Sequence, residues 1–140
     1  MLDFSSLNRA VNSLGESIEV IERYLINGGD ITQPEYRTFR AGVIQNFEFT
    51  YELSWKAMRT WLGENVGKTL VDGVTRKELL RFAAEYYLIE EVAPWFEYHR
   101  HRNQTSHTYE EKTAVEVFAC VKSFLFDARA LLTSINNKND

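Results

Sequence analysis

Hydrophobic residues recur along this chain at alternating intervals of four and three, the spacing of one buried face of an α-helix. The first such stripe ends at Gly28-Gly29 and consists of Leu7, Val11, Leu14, Ile18, Ile21 and Leu25. A second helix is predicted to begin near Thr32-x-x-Glu35, a capping-box pattern with Pro34 in its first turn. The apolar stripe of this second helix consists of Ile44, Phe47, Tyr51, Trp55, Met58 and Leu62.

The opposite face of the second predicted helix is charged and carries Glu48, Glu52, Lys56 and Arg59. Glu52 and Lys56 have the spacing and the order of a favourable i,i+4 ion pair. We therefore expect this face to be a solvated salt-bridge surface, or a contact with a second copy or a partner, rather than a carboxylate pair for catalysis.

Further patterns predict shorter helices after a loop from Gly63 to Gly73. Thr75-x-x-Glu78 is a second capping box, and it predicts a helix that continues to about Tyr87. Pro94 can start another short helix that leads towards Arg102.

A third capping box, Thr108-x-x-Glu111, predicts the start of the final helix. The buried side of that helix consists of Ala114, Val117, Val121, Phe124, Ala128, Leu131 and Ile135. No segment alternates with the period of two that indicates a strand. The sequence thus predicts an all-α fold, an antiparallel four-helix bundle with short additional helices, in one domain spanning 1–140.

Composition supports a helical globular domain. Hydrophobic residues make up 44% of the 140 residues, and there are only two prolines and seven glycines, which favours long helices. Cys120 is the sole cysteine, so an intrachain disulfide is excluded and a reducing compartment is favoured. We see no signal peptide and no apolar run of the ~18–20 residues that a membrane span requires. We therefore expect a cytoplasmic protein with no membrane association.

The net charge of −4 argues against a uniformly basic nucleic-acid-binding protein. Two local basic patches nevertheless stand out, one formed by Arg76, Lys77 and Arg81 and the other running from His99 to Arg102. Local patches of this kind can hold phosphates on an acidic protein. His99 and His101 do not suggest a metal site, because residues two apart on a helix point in nearly opposite directions.

The segment with the clearest chemistry is Arg102-x4-His107-x-Tyr109. It combines a phosphate-binding guanidinium, an imidazole that titrates near neutral pH, and a phenol. On an unbroken helix Arg102 and His107 would diverge, so a break between them is needed to bring both to one cleft. If Thr108 is the N-cap, His107 lies just outside a helix N-terminus, which favours phosphate binding, and Tyr109 is the first helical residue.

This arrangement predicts a ribonuclease site that needs no metal or cofactor. His107 would act as general base or acid for attack of a ribose 2′-OH on the neighbouring phosphate, and Arg102 would stabilise the charge that develops on it. Asn103 would orient either of these two groups. Because one histidine cannot easily serve both ends of the reaction, a symmetric dimer would supply the second. The alternative is that His107 is an ordinary solvated or capping residue.

The motif formed by Arg102, Asn103, His107 and Tyr109 resembles the signature of the HEPN superfamily, specifically the HepT-type toxins that are paired with minimal nucleotidyltransferases. The segment Ile44–Lys56, IQNFEFTYELSWK, is similar to proteins of the nucleotidyltransferase substrate-binding group. The resemblance covers nearly the whole chain. It implies a homodimeric four-helix bundle with metal-independent endoribonuclease activity, acting as a toxin on cellular RNA, with tRNA as the favoured target.

The resemblance also assigns residue roles and a partner. The arginine and histidine of the family motif fall on Arg102 and His107, and the polar residue after the arginine falls on Asn103. In the family, a cognate nucleotidyltransferase antitoxin transfers AMP to the tyrosine of the motif, which is Tyr109 here. Two alternatives remain open, a non-catalytic nucleotide- or substrate-binding subunit of a two-component nucleotidyltransferase and a purely structural helical dimer.

Overall fold

The computed structural model describes residues 2–139, and these residues form helices without any strand. The helices are α1 (Ser5–Ile26), α2 (Pro34–Asn65), α3 (Lys68–Val71), α4 (Arg76–Glu85), α5 (Val92–Gln104), α6 (Glu111–Phe118) and α7 (Val121–Lys138). A 3₁₀ turn, Thr105–His107, follows α5 directly. The predicted all-α helical bundle is thus confirmed. No helix within residues 2–139 is both long and apolar enough to cross a bilayer.

The predicted apolar stripes form the core of the bundle. Every residue of the first stripe is buried except Leu25, and every residue of the second is buried except Trp55, which is half-buried. The core is centred on the ring of Phe124 in α7, which packs edge-on against Phe47 at a centroid distance of 4.9 Å and against Tyr98 at 5.1 Å. Phe124 thereby joins α7 to α2 and α5.

The capping boxes had different outcomes at the first two predicted helix starts. Thr75 is the N-cap of α4, and its hydroxyl accepts a hydrogen bond from the Glu78 N–H at 3.1 Å, as predicted. The second helix begins near Thr32 with Pro34 in its first turn, as predicted, but the capping box at Thr32 does not form, because Gln33 is the N-cap of α2 and no side chain caps it. The Thr32 N–H instead donates to the carboxylate of Asp30 at 2.9 Å, which makes a local turn before the helix.

Two other boundaries differ from the prediction. The expected loop from Gly63 to Gly73 contains the end of α2 and all of α3, which follows Gly67 at a positive φ of 155°. The expected final helix is two helices, because the chain tightens at Ala119 and Cys120, where the Cys120 N–H bonds to the carbonyl of Val117 at 3.1 Å. The stripe from Ala114 to Ile135 nevertheless stays buried on both sides of this break.

Candidate active site

Arg102 lies in the last turn of α5 and reaches across to α2. Its Nε donates a hydrogen bond to Oε1 of Glu52 at 2.7 Å, and both side chains are about three-quarters buried, with 28% and 21% of their surfaces exposed. Partial burial strengthens this ion pair relative to one in open solvent. Arg102 is therefore held in one orientation before any ligand arrives.

The same Glu52 carboxylate also binds Arg76 of α4. Arg76 makes a bidentate pair, with Nη1 2.7 Å from Oε1 and Nη2 2.9 Å from Oε2 of Glu52. Its guanidinium also lies over the indole ring of Trp55, 4.5 Å from the centroid. We call these three ion-paired residues, Glu52, Arg76 and Arg102, the two-arginine cluster.

The two-arginine cluster overturns the predicted role of Glu52. Its partners are Arg76 and Arg102, not Lys56, and it is not part of a fully solvated face. Burial by itself would raise the pKa of Glu52, but hydrogen bonds and charge from the two arginines outweigh burial and lower that pKa. Glu52 is therefore ionised near neutral pH.

His99 lies beside this cluster, one helical turn before Arg102 on α5. Its Nδ1 is 3.0 Å from the hydroxyl of Tyr51, and its Nε2 is 3.5 Å from the amide nitrogen of Asn103. Burial lowers the pKa of His99, and the positive charges of Arg76 and Lys77 lower it further, so the imidazole is neutral near pH 7. Burial also raises the pKa of Tyr51 to about 12, which keeps its hydroxyl protonated.

The structure therefore places the Asn103 amide near His99. In the sequence analysis we expected Asn103 to orient Arg102 or His107, and within residues 2–139 its side chain makes no hydrogen bond to either. The predicted orienting role of Asn103 stays a prediction.

His107 ends the 3₁₀ turn and is exposed to solvent. The predicted N-cap at Thr108 was wrong, because α6 begins at Glu111 and its N-cap is Glu110. The Thr108 hydroxyl donates back to the carbonyl of Thr105 at 3.1 Å, and Thr108 lies two residues before the N-cap of α6. The helix-terminus argument for phosphate binding at His107 is therefore lost, although the predicted break between α5 and the final helical region is confirmed.

The structure does not bring Arg102 and His107 into direct contact. Among residues 2–139 no hydrogen bond or ion pair joins the two side chains, and the ring near His107 is that of Tyr109, at a centroid distance of 6.2 Å. Arg102 is turned towards α2 by Glu52, whereas His107 is exposed. A site that uses both must form with a bound substrate, with a second copy of the chain, or with both.

Tyr109 lies in the turn before α6, and 80% of its surface is exposed. It borders a cavity of about 230 Å³ that is also lined by Arg37, Arg40 and Glu111. Arg40 is buried and pairs with Glu111, its Nη2 lying 2.9 Å from Oε2. The phenol is therefore accessible to a macromolecule, and a charged guanidinium lies on the wall of the adjoining cavity. The prediction that Tyr109 is the first helical residue was wrong, because α6 begins at Glu111.

The sequence placed Arg76 in a basic patch and Glu52 on a charged helix face, but it did not predict that they join Arg102, nor that Tyr51 contacts His99. Both basic patches were visible, but nothing in the sequence showed that Arg76 of one patch and Arg102 of the other meet at one carboxylate. A signal was present in Glu52 itself, a carboxylate directly next to the buried stripe residue Tyr51. In the structure only 21% of the Glu52 side-chain surface is exposed, and a largely buried carboxylate requires a close partner.

Comparison with known proteins identifies a matching family and a similar protein. Residues 2–137 match the family described as "Nucleotidyltransferase substrate binding protein like". A Haemophilus influenzae protein named "Probable ribonuclease HepT" is 39% identical over 103 residues, which cover 73% of this chain and 70% of that protein.

Two solved structures share the fold. The Haemophilus influenzae protein HI0074 superposes with a TM-score of 0.85 at 33% identity, over 96% of this chain and 99% of that one. It was described as revealing the fold of a substrate-binding domain of a nucleotidyltransferase. A Thermus thermophilus protein superposes with a TM-score of 0.64 at 24% identity, over 87% of this chain and 98% of that one, and this likeness concerns the fold alone.

Proposed function

This chain belongs to the nucleotidyltransferase substrate-binding-protein-like family, within the HepT-type HEPN group that its motif resembles, and from that premise we propose that it is a metal-independent endoribonuclease toxin. The observation that carries the proposal is the largely buried guanidinium of Arg102, fixed by Glu52 at the start of the Arg102-x4-His107 motif. A preorganised guanidinium can stabilise charge that develops on a phosphate without first reorganising itself. The name of the Haemophilus relative, "Probable ribonuclease HepT", supports ribonuclease activity.

The proposed reaction is an internal transesterification of RNA. A ribose 2′-oxygen forms a bond to the adjacent phosphorus, and the bond from phosphorus to the 5′-oxygen of the next nucleotide breaks. A neutral imidazole of His107 accepts the 2′-hydroxyl proton, and a protonated group donates a proton to the departing 5′-oxygen. Arg102 binds the non-bridging phosphate oxygens, whose negative charge increases in the transition state.

In this proposal a homodimer brings Arg102 and His107 together and supplies the second histidine that one protomer lacks. Arg102 is bound to α2 and His107 is exposed, so the pair is not assembled within one chain. A two-fold axis beside the 3₁₀ turn would bring two copies of His107 into one cleft with two copies of Arg102. One histidine would then accept the 2′ proton and the other would donate to the leaving oxygen.

Cleavage of purified cellular RNA in the presence of a chelator tests this proposal. We expect the protein to produce fragments that end in a 2′,3′-cyclic phosphate and begin with a 5′-hydroxyl, because the attacking oxygen is the ribose 2′-OH. Sequencing of both ends identifies the target, for which transfer RNA is favoured. Cleavage that requires an added divalent metal, or that leaves 5′-phosphates, contradicts the mechanism.

A second function is favoured by the description of HI0074. A non-catalytic subunit that presents a nucleotide or another substrate to a partner nucleotidyltransferase could use the two-arginine cluster as a phosphate clamp. Under this alternative the pure protein cleaves no RNA, and nucleotidyl transfer by the partner enzyme requires this protein. The chelator experiment therefore separates the two functions.

We further propose that a cognate minimal nucleotidyltransferase antitoxin neutralises the protein by transferring AMP from ATP to Tyr109. The phenol oxygen forms a bond to the α-phosphorus and loses its proton, and pyrophosphate leaves. The exposed phenol supports this assignment, and the negative phosphate that it gains would compete with RNA for nearby cations. After incubation with that enzyme and ATP, we expect intact-protein mass spectrometry to show one or more added AMP units and RNA cleavage to fall.

The matched control for this modification is Tyr87, which is 79% exposed and lies far along the chain from the motif. Tyr109→Phe should abolish the mass increase and Tyr87→Phe should leave it unchanged. AMP transfer to the Tyr109→Phe protein would contradict the assignment.

A further inference from the structure

We propose that Arg76 is a second phosphate-binding residue of the candidate site, and that Glu52 is a positioning residue that holds Arg76 and Arg102 ready for one phosphodiester. This inference rests on the proposed function and adds to it a residue from α4, outside the motif. The two arginines are 26 residues apart in sequence, yet both bind Oε1 of Glu52 at 2.7 Å. Their guanidiniums are therefore held side by side.

The charge balance of the two-arginine cluster favours an anionic ligand. Two guanidiniums remain protonated under all ordinary conditions, and one carboxylate neutralises only one of them. The cluster thus carries one net positive charge in a partly buried place, where such a charge interacts strongly with an anion. A phosphodiester carries one negative charge and would complete the neutralisation.

Arg102 also has hydrogen-bond donors to offer. Within the part of the chain that the structure describes, its guanidinium makes a side-chain hydrogen bond through Nε alone. Its two terminal amino groups can therefore bind two phosphate oxygens in the bidentate manner that arginine favours. Arg76 contributes mainly charge, because both of its terminal nitrogens already bind Glu52.

The surroundings of Arg76 extend the positive surface and make it rigid. Arg76 stacks on Trp55, while Lys77 and Arg81 of the same helix lie over the ring of Phe96 on α5, at 5.8 and 5.3 Å from its centroid. These cation–π contacts hold Lys77 and Arg81 of α4 against the helix that carries Arg102, and they hold Arg76 against α2. An RNA strand bound at Arg102 would thus pass along a basic surface.

A purely structural ion-pair network is the competing explanation, and salt dependence distinguishes the two. Each phosphate contact that is lost reduces the slope of log Kd against log salt concentration by about one. A change that only loosens the packing of α4 has no such effect on the slope.

The first test is RNA binding in a His107→Ala background, measured by fluorescence anisotropy of a labelled single-stranded RNA across a salt series. We expect Arg76→Gln to weaken binding and to reduce the slope by about one, and Arg76→Lys to retain the slope because it keeps the charge. The matched control is Arg59→Ala on α2, an exposed arginine paired with Asp72 at 3.5 Å. A slope for Arg76→Gln equal to that of Arg59→Ala overturns the proposal.

The second test concerns Glu52. Glu52→Gln raises the net charge of the cluster by one, so RNA binding should be unchanged or tighter. The same change releases Arg102 from its fixed orientation, so kcat should fall roughly 10–100-fold, as expected when a transition-state group is misplaced. Weaker RNA binding by Glu52→Gln contradicts the positioning role.

The two tests separate this inference from the proposed function. Binding is measured in a variant that lacks His107, so the salt slope reports on Arg76 whether or not the wild type cleaves RNA. If the wild type cleaves no RNA while Arg76→Gln still reduces the salt slope, phosphate binding by Arg76 is supported and the proposed ribonuclease activity is contradicted.

Discussion

His107→Ala and Arg102→Ala should each lower the rate of RNA cleavage by about 10²–10⁴-fold, the range expected for a general acid–base group or a charge-stabilising donor. Loss of His107 removes the proposed proton acceptor, and loss of Arg102 removes the cation proposed to stabilise the phosphate oxygens. The rate is measured on purified variants with an RNA substrate identified by end sequencing. In cells, we expect expression of the wild type to arrest growth and expression of either variant to leave growth unaffected.

Matched controls for this experiment lie next to the motif. His101→Ala removes an imidazole whose Nδ1 lies 2.9 Å from the side chain of Gln104, and Arg100→Ala removes an exposed arginine paired with Glu97. Both should retain cleavage within a few-fold of the wild type. Thermal melting of all four variants establishes that they are folded. Undiminished cleavage by folded His107→Ala would overturn the proposed role of the motif.

The helices could be predicted because core packing imposes a period on the sequence. Stripes such as Leu7 to Ile21 are hydrophobic only where they face the bundle, so their spacing carries the information. Helix ends depend on finer competition between local hydrogen bonds. Thr75 and Thr32 stand in the same capping pattern, but Asp30 draws the Thr32 N–H into a turn and the helix begins after Gln33.

In the candidate site, residues close together in sequence could be predicted, whereas contacts between residues far apart in sequence could not. Arg102 and His107 could be identified from the sequence as candidate site residues, because they lie five residues apart with a break between their helical segments. Glu52 could not be connected to Arg102 or Arg76, because those pairs are 50 and 24 residues apart in sequence. The nearby Lys56 offered a plausible surface partner for Glu52, but a largely buried carboxylate is better compensated by two fixed guanidiniums than by one solvated lysine.

The contrast between Arg102 and His107 bears on how the protein could be controlled. Arg102 belongs to a preformed, partly buried cluster, whereas His107 and Tyr109 lie on an exposed turn of the chain. His107, the proposed acid–base group, lies on such a turn and is readily covered or displaced by a partner. Modification of Tyr109 would then act on the exposed half of the site and leave the two-arginine cluster intact.

Phe124→Ala should have the largest effect on stability, lowering the free energy of unfolding by about 3–5 kcal/mol. The Phe124 side chain is fully buried, and its ring contacts those of Phe47, Trp95 and Tyr98 from two other helices. Truncation therefore leaves a cavity where α2, α5 and α7 meet. Urea denaturation followed by circular dichroism measures the loss as a lower midpoint with an unchanged slope.

Phe126 provides the control, since it lies two residues along the same helix and is 74% exposed. Phe126→Ala should change the free energy of unfolding by less than about 0.5 kcal/mol. Equal destabilisation by the two variants would show that the core is not centred on Phe124.

The cavity left by Phe124→Ala borders Tyr51, whose neighbour in sequence is Glu52 and whose hydroxyl contacts His99. Folded Phe124→Ala should therefore also cleave RNA more slowly than Phe126→Ala, because the core beneath the two-arginine cluster keeps Arg102 in place.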